Sequence, residues 1–389
     1  MVTRRPVLVH LTTVDVSLAY LLLSQLVAFR DAGYDVVGVS APGEHVDGLK
    51  ELGIRHIPLR DSTRAADVRA DLATARRFAR ICRRLRPDIV HTHNPKPGIY
   101  GRIGARLAGV PHVVNTVHGL YAQPGDPLAK RVVVYGLERI AATCSDAELL
   151  QNPEDIPVLR RLGVPERKLH LLGNGVDMTR FDPATHADAR QQVRSELGIG
   201  DHEVVVGLVG RLVREKGYRE VFEAARNLRA AHPHVRFVIA GPTDLDKADA
   251  ITQAELDQVA ADAGVVFLGM RTDVERLYPA FDLYVLASHR EGFPRSAMEA
   301  AAMGLPIVAT DIRGCRQVVD HDVTGLLVPV RDAAALEAAI GALISDPDRR
   351  SRMATASRDK AVAEFDDRRQ VAITLDVYEQ LRGESATPR

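Results

Sequence analysis

The chain has 389 residues, 46% hydrophobic and 26% charged, with no tryptophan, which suits a globular protein with room for two cores. Its 51 basic and 51 acidic residues cancel, so no overall basic surplus marks a nucleic-acid-binding protein. The longest apolar run, Leu18 to Phe29, is interrupted by Ser24 and Gln25 and falls short of the roughly 18–20 residues that span a bilayer.

The basic start Met1–Arg5 runs into a strand-like segment without an apolar leader core or small-residue cleavage site, so a mature cytoplasmic protein is expected. Cys82, Cys144 and Cys315 are far apart and in no metal-ligand spacing, which fits a reducing compartment without structural disulfides. The charge is uneven: residues 1–180 hold 25 Lys and Arg against 18 Asp and Glu, and the remainder holds 26 against 33. Opposite surpluses suggest two domains with different partners.

In chain order, strand-like runs are predicted at Val7–Leu11, Val36–Ser40, Ile54–Leu59, Asp88–Thr92, His112–Val117 and Lys168–Leu172. Helical patterns separate them. The clearest covers Leu72 to Arg86, with Phe78, Ile81, Cys82 and Leu85 on one face and Pro87 as its stop. A polar stretch containing Pro183 separates the halves, giving domains 1–182 and 183–389. The pattern restarts at Val204–Gly210, Arg236–Ala240, Val265–Leu268, Leu283–Ala287, Pro306–Ala309 and Gly325–Val328. Ser351 to Leu381 reads as one long terminal helix. Alternation of strand and helix implies α/β architecture, two doubly wound Rossmann-like domains with parallel sheets. Ligands of such sheets bind beyond the carboxyl ends of the strands, and a cleft between two such domains is the expected site.

Two clusters carry chemistry. Gly210-Arg211 follows the strand at 204–210, and Lys216-Gly217 opens the next helix. Two permanent cations beside a helix N-terminus suit an anion such as a diphosphate; alone, they are equally well two solvated charges on a βα loop. The second cluster is Glu291-Gly292-Phe293-Pro294-Arg295-Ser296-Ala297-Met298-Glu299. Gly292 allows a tight turn and Pro294 suits a first helical turn. Carboxylates at Glu291 and Glu299 can accept from pairs of sugar hydroxyls; the alternatives are a turn residue and a helix-surface charge.

Gly-Arg-x4-Lys-Gly followed by Glu-Gly-Phe-Pro-x4-Glu resembles the retaining glycosyltransferase family 4, of GT-B fold. Val117-His118-Gly119, Gly173-Asn174-Gly175-Val176-Asp177, Phe267-Leu268-Gly269 and Gly325-Leu326-Leu327-Val328 resemble it in the same order, over nearly the whole chain. The resemblance implies that Arg211 and Lys216 hold the donor diphosphate, Glu299 the ribose and Glu291 the donor sugar. It adds backbone at Phe293, Arg295 and Ser296 for phosphate and sugar, and backbone at Arg271 for the base. Gly210, Gly292, Pro294 and Asn174 complete the donor set, and His118 is brought to the transferred sugar. With Glu291, Arg211 and Lys216 it forms the catalytic set; without the other motifs it reads as a satisfied strand-end histidine. The terminal helix is expected to return to the first domain.

One departure is the segment after the first strand, Thr12-Thr13-Val14-Asp15-Val16-Ser17, which has no glycine where family members often bring backbone to the donor phosphate. Asp15 or Ser17 reads instead as an N-cap of a helix at Leu18–Arg30.

The implied reaction is metal-independent and cofactor-free. It moves a sugar from a nucleotide diphosphate, UDP before GDP or ADP, to a glycan or lipid-linked saccharide for cell-surface polysaccharide. Competing readings are a sugar-nucleotide epimerase, which needs no acceptor, a phosphorylase, a non-catalytic binder, and transfer to a soluble acceptor. A dehydrogenase is disfavoured because no Gly-x-Gly-x-x-Gly follows the first strand. Arg76, Arg77, Arg80, Arg83, Arg84 and Arg86 crowd one helix face, either as a solvated surface or as a salt-sensitive, peripheral contact with an anionic membrane.

Overall fold

The computed structural model describes residues 4–60, 62, 68–93, 95–122, 125–244 and 249–385. The chain divides into two compact units, one of Met1–Asn174 with Asp367–Arg389, the other of Gly175–Asp366.

The first unit contains β1 (Val7–Val14), β2 (Asp35–Ala41), β3 (Arg55–Pro58), β4 (Ile89–His93), β5 (His112–Val117), β6 (Ala147–Leu150) and β7 (Leu169–Leu171). They lie in the order β3-β2-β1-β4-β5-β6-β7, every pair parallel. The inner strands β1, β2 and β5 are rich in buried Val and Leu because a parallel sheet covered by helices buries both faces, whereas the edge strands β3 and β7 are partly exposed. Alternation along β1 sorts its side chains into two cores. Leu8 packs with Phe29, Val114 and Tyr378, while Val7, Val9 and Leu11 pack with Phe78, Cys82 and Tyr100.

The second unit contains β8 (Val204–Val209), β9 (Val235–Ala240), β10 (Val266–Phe267), β11 (Leu283–Leu286), β12 (Ile307–Thr310) and β13 (Gly325–Val328), ordered β10-β9-β8-β11-β12-β13 and again parallel. Both orders contain the 3-2-1-4-5-6 arrangement of the Rossmann sheet. Each therefore has a switch point where the chain reverses its progress across the sheet, between β1 and β4 and between β8 and β11.

Four expectations are corrected. The break falls at Asn174 and Gly175 rather than at Asp182, because Val176 and Phe181 are core residues of the second unit and the Val176 amide donates to the Phe365 carbonyl at 2.8 Å. The terminal pattern is two helices, Pro347–Glu364 and Asp367–Ser385, parted where Phe365 is buried and Asp366 bridges Val176. The second of these belongs to the first unit, with Tyr378 buried against Phe29 and Tyr34. The Leu18–Arg30 pattern begins as a π-helical turn, Ser17–Leu21, and continues as Leu23–Asp31; neither Asp15 nor Ser17 caps it. Asp15 accepts instead from the His45 amide at 2.9 Å. Lastly, β6 is an additional strand. Among the described residues, no helix is long and apolar enough to cross a membrane.

Candidate active site

In the second unit the chain leaves β8 through Gly210 and Arg211, makes the short turn Arg214–Lys216, and enters the helix Tyr218–Ala231 at Gly217. Gly217 has φ of 71°, and a Cβ there would sit 2.0 Å from the Ala287 carbonyl. Only glycine lets this turn press against the end of β11. The approach brings Lys216 Nζ to 2.5 Å from Glu291 Oε1, which also accepts from Ser288 Oγ at 2.7 Å. Arg211 Nη1 meets Asp244 Oδ2 at 2.7 Å. Each of the two predicted diphosphate cations thus already has a carboxylate partner that an incoming anion must share or displace.

Glu299 lies in the helix Arg295–Ala302, whose N-cap is Pro294, and is only 9% exposed. Its carboxylate accepts from Tyr278 Oη at 2.9 Å and Arg295 Nε at 3.1 Å. Burial raises its pKa, while Arg295 and Tyr278 oppose the rise. The Tyr284 hydroxyl bridges the Val209 carbonyl at 3.1 Å and Ser296 Oγ at 2.8 Å, tying the end of β8 to the first turn of the Glu299 helix. Gly292 and Phe293 complete the turn, and the Phe293 ring meets Phe365 edge-on at 5.9 Å. Arg271 is held by Asp273 at 2.8 Å and Glu196 at 3.1 Å, so its guanidinium is committed and its backbone is what remains for a ligand. Cations and carboxylates therefore converge where β8 and β11 end, at the switch point. Asp244, Ser288, Tyr278 and Tyr284 belong to this constellation, and no local sequence signal marks Ser288, Tyr278 or Tyr284.

Asp-x-Asp, the triplet of metal-dependent transferases, occurs three times, beginning at Asp244, Asp320 and Asp346. Asp244 holds Arg211, Asp320 and Asp322 pair with Lys360 and Arg349, and Asp346 caps the Pro347–Glu364 helix. Asp246 lies outside the described residues.

His118 and Asn174 lie in the first unit. Asn174 Oδ1 accepts from Gln151 Nε2 at 3.2 Å. His118 follows β5 and is half-buried, with Nε2 at 3.2 Å from His93 Nδ1, whose own Nε2 lies 2.9 Å from His10 Nδ1. His91, stacked on His93, engages Tyr378 Oη at 2.5 Å and Thr116 Oγ1 at 2.7 Å. Burial lowers the pKa of His10 to about 3 and of His118 to about 4, and holds His91 and His93 well below the ordinary value. All four are neutral near pH 7. His10, His91 and His93 are close enough to be considered as metal ligands. Their facing nitrogens are instead engaged with one another, Tyr378 and Thr116, and His10 Nε2 alone has no partner.

Two doubly wound parallel units, the second with paired cations and carboxylates at its switch point, define a glycosyltransferase of the GT-B class. Residues 189–360 match the family described as Glycosyl transferases group 1, and residues 19–175 match the Glycosyl transferase 4-like domain. The chain belongs to the group 1 glycosyltransferases. It is 33% identical over 300 residues to the UDP-Gal:alpha-D-GlcNAc-diphosphoundecaprenol alpha-1,3-galactosyltransferase of Escherichia coli, covering 75% of each chain. It is also 33% identical over 307 residues to the D-inositol 3-phosphate glycosyltransferase of Xylanimonas cellulosilytica, covering 75% of this chain and 72% of the relative. Anabaena HepE in complex with UDP has the same fold, with a TM-score of 0.79 and 21% identity over 97% of this chain and 100% of that one.

Proposed function

We propose that the chain transfers a sugar from a UDP-linked donor to a hydroxyl of a lipid-linked saccharide, with retention and without a metal, in the building of a cell-surface polysaccharide. The observation that carries this is the placement of Lys216 after β8 against Glu291 after β11, with Arg211, paired with Asp244, on the same turn and Glu299 buried one turn into the helix Arg295–Ala302. The UDP donor and polyprenyl-diphosphate acceptor are supported by the name of the Escherichia coli relative. Cytoplasmic work at a membrane surface follows from such an acceptor.

In this reading the bond from the anomeric carbon to the β-phosphate oxygen breaks and the acceptor oxygen bonds to that carbon on the same face. The acceptor proton passes to the departing phosphate oxygen. Arg211 and Lys216 meet the negative charge that grows on the phosphate, in positions fixed before the reaction. Glu291, relieved of Lys216 by the diphosphate, accepts from the donor sugar, and Glu299 accepts from the ribose hydroxyls. His118, neutral at pH 7 and engaged by His93 and the Gln151 side chain, exchanges one of these partners for a hydrogen bond to the transferred sugar. The second reading, transfer to a soluble acceptor such as an inositol phosphate, is favoured by the Xylanimonas relative at the same identity.

The test is nucleotide release by purified protein from UDP-, GDP- and ADP-sugars in excess EDTA. The acceptors are a short-chain polyprenyl-diphosphate saccharide and inositol 3-phosphate. An α-linked product from an α-donor and the lipid-type acceptor is expected. Turnover only with divalent metal, an inverted product, or epimerised donor without acceptor would each overturn the corresponding part.

A further inference from the structure

The helix Leu128–Ala142 of the first unit is turned inside out relative to an ordinary surface helix. Leu128, Val132, Val133, Leu137 and Ile140 fall within about half its circumference at 100° per residue. All five are exposed, Leu128 at 70%, Val132 at 63% and Val133 at 60%. The opposite face holds the polar anchors. Glu138 pairs with Arg102 at 2.7 Å, and Arg102 is itself fully buried against Glu148. Tyr135 Oη donates to the Ala122 carbonyl at 3.0 Å, and Ala141 and Ala142 are buried. Rotating the helix to hide its apolar stripe would strip a buried guanidinium of one of its two carboxylates, so the outward stripe is built into the fold.

The surroundings of the stripe name its occupant. Tyr121, 59% exposed, stands in the loop before the helix with Lys130 Nζ 5.1 Å above its ring. Lys130 borders the N-terminal end of the stripe, and the exposed Arg139 lies near its C-terminal end. Arg139 donates to the Leu162 carbonyl, which brings in the Ile156–Arg161 helix, ending in the exposed Arg160 and Arg161. Two of these cations carry acidic partners, Lys130 with Asp126 and Arg160 with Glu166, and the positive surplus of the rim comes from the exposed Arg139 and Arg161. An apolar stripe with an interfacial tyrosine and a basic rim matches a helix that lies in the head-group region of an anionic bilayer.

We propose that the Leu128–Ala142 face is the surface by which this chain docks on an anionic membrane, in the plane of the interface. The proposal rests on the lipid-linked acceptor reading and supplies its missing contact. It also relocates the contact expected from the arginine-rich helix Val68–Leu85. There Phe78 and Cys82 are buried while Arg76, Arg77 and Arg80 face out, so that helix can attract a membrane but not enter it. Docking through an apolar stripe therefore survives salt that abolishes a purely electrostatic contact.

The experiment uses the full chain with phosphatidylglycerol/phosphatidylcholine vesicles and with phosphatidylcholine alone, at low and high salt. Because the chain has no tryptophan, Val133→Trp gives a single indole fluorophore at the stripe. Its emission should shift blue on anionic vesicles and be quenched by brominated lipid. Val132→Ser with Val133→Ser and Leu137→Gln, tested together, should lower vesicle partition at least tenfold at both salts, with native circular dichroism and unchanged UDP affinity. Arg76, Arg80 and Arg83 changed to Gln should weaken only the low-salt binding. Sedimentation of the apolar triple variant equal to the parent, or indole emission from the Val133→Trp variant that brominated lipid leaves unquenched, overturns the proposal. So does a parent dimer that the triple variant converts to monomer without vesicles, which would make the stripe a self-association face. A parent that binds vesicles yet uses only soluble acceptors refutes the acceptor reading and leaves the surface standing; a parent that uses the lipid-linked acceptor without binding vesicles does the reverse.

Discussion

Glu299→Ala separates nucleotide binding from folding. The carboxylate is buried and holds two protein donors, Tyr278 Oη and Arg295 Nε. Neither is stranded by its removal, since Tyr278 Oη also reaches the Ser296 carbonyl at 3.1 Å and the Arg295 side chain is 32% exposed to water. The folding cost should stay near 1–2 kcal/mol, the size of a lost hydrogen bond plus a small void. Two charge-assisted hydrogen bonds to ribose contribute about 1.5 kcal/mol each at the low end. Free UDP should therefore bind about 100-fold more weakly, since about 1.4 kcal/mol is tenfold. Burial raises the Glu299 pKa, so its acceptor form is present above that value and is lost as pH falls through it. UDP affinity should fall on acidification sooner than an ordinary carboxylate would require, and Glu299→Gln should erase that dependence. Glu291→Ala should spare UDP and lose turnover. Calorimetry with UDP on all three variants decides. Equal UDP affinity in the parent and Glu299→Ala, with native circular dichroism in both, would refute the ribose role.

Arg211→Ala and Lys216→Ala should each lower kcat/KM by about 10²–10³, the usual loss of one preorganised charge-stabilising group; near-parental values in both would end the diphosphate assignment. Acid should destabilise the first unit through its histidines. Their folded pKa values are depressed, to about 3 at His10 and about 4 at His118. Below pH about 6.5 the unfolded chain takes up protons that the folded core refuses, and each histidine then costs about 1.4 kcal/mol per pH unit until its folded pKa is reached. Denaturant midpoints measured from pH 7.5 to 5 should fall steeply, and His10→Asn should flatten the slope; an unchanged slope would show that His10 is not the buried neutral group inferred here.

The regular strands were legible because a parallel sheet writes itself as continuous Val, Ile and Leu runs, and the Gly210–Gly217 and Glu291–Glu299 clusters follow two of them. β6 was not legible. Its sequence, Ala-Glu-Leu-Leu, puts a charge in the middle of a strand, and only the fold supplies Arg102, Asn115 and Ser145 around Glu148. Pairings were equally hidden: Lys216 meets Glu291 across 75 positions and Arg211 meets Asp244 across 33, distances over which no local pattern speaks. Of the linked histidines, only His118 stood in a recognisable motif. His10 is a lone polar residue within the apolar run Val7–Leu11, and His91 and His93 alternate with Thr92 at the end of β4; neither pattern by itself shows that the three rings meet.

The helix Leu128–Ala142 exposes a more general limit. A periodic apolar stripe says that a helix has a face to shield from water, not what shields it. Val132, Val133 and Leu137 carry the same spacing whether they meet a sheet or a lipid. What decides is the other face, where Glu138 must reach Arg102. Turning the helix the other way would break the Glu138–Arg102 pair, a loss of about 3–5 kcal/mol for a buried pair, and would also give up the burial of Ala141 and Ala142 and the Tyr135–Ala122 hydrogen bond; these contacts act together in choosing which way the helix turns. The orientation thus rests in part on an ion pair spanning 36 positions, and the apolar surface it leaves outside is the feature of this chain that most calls for a partner.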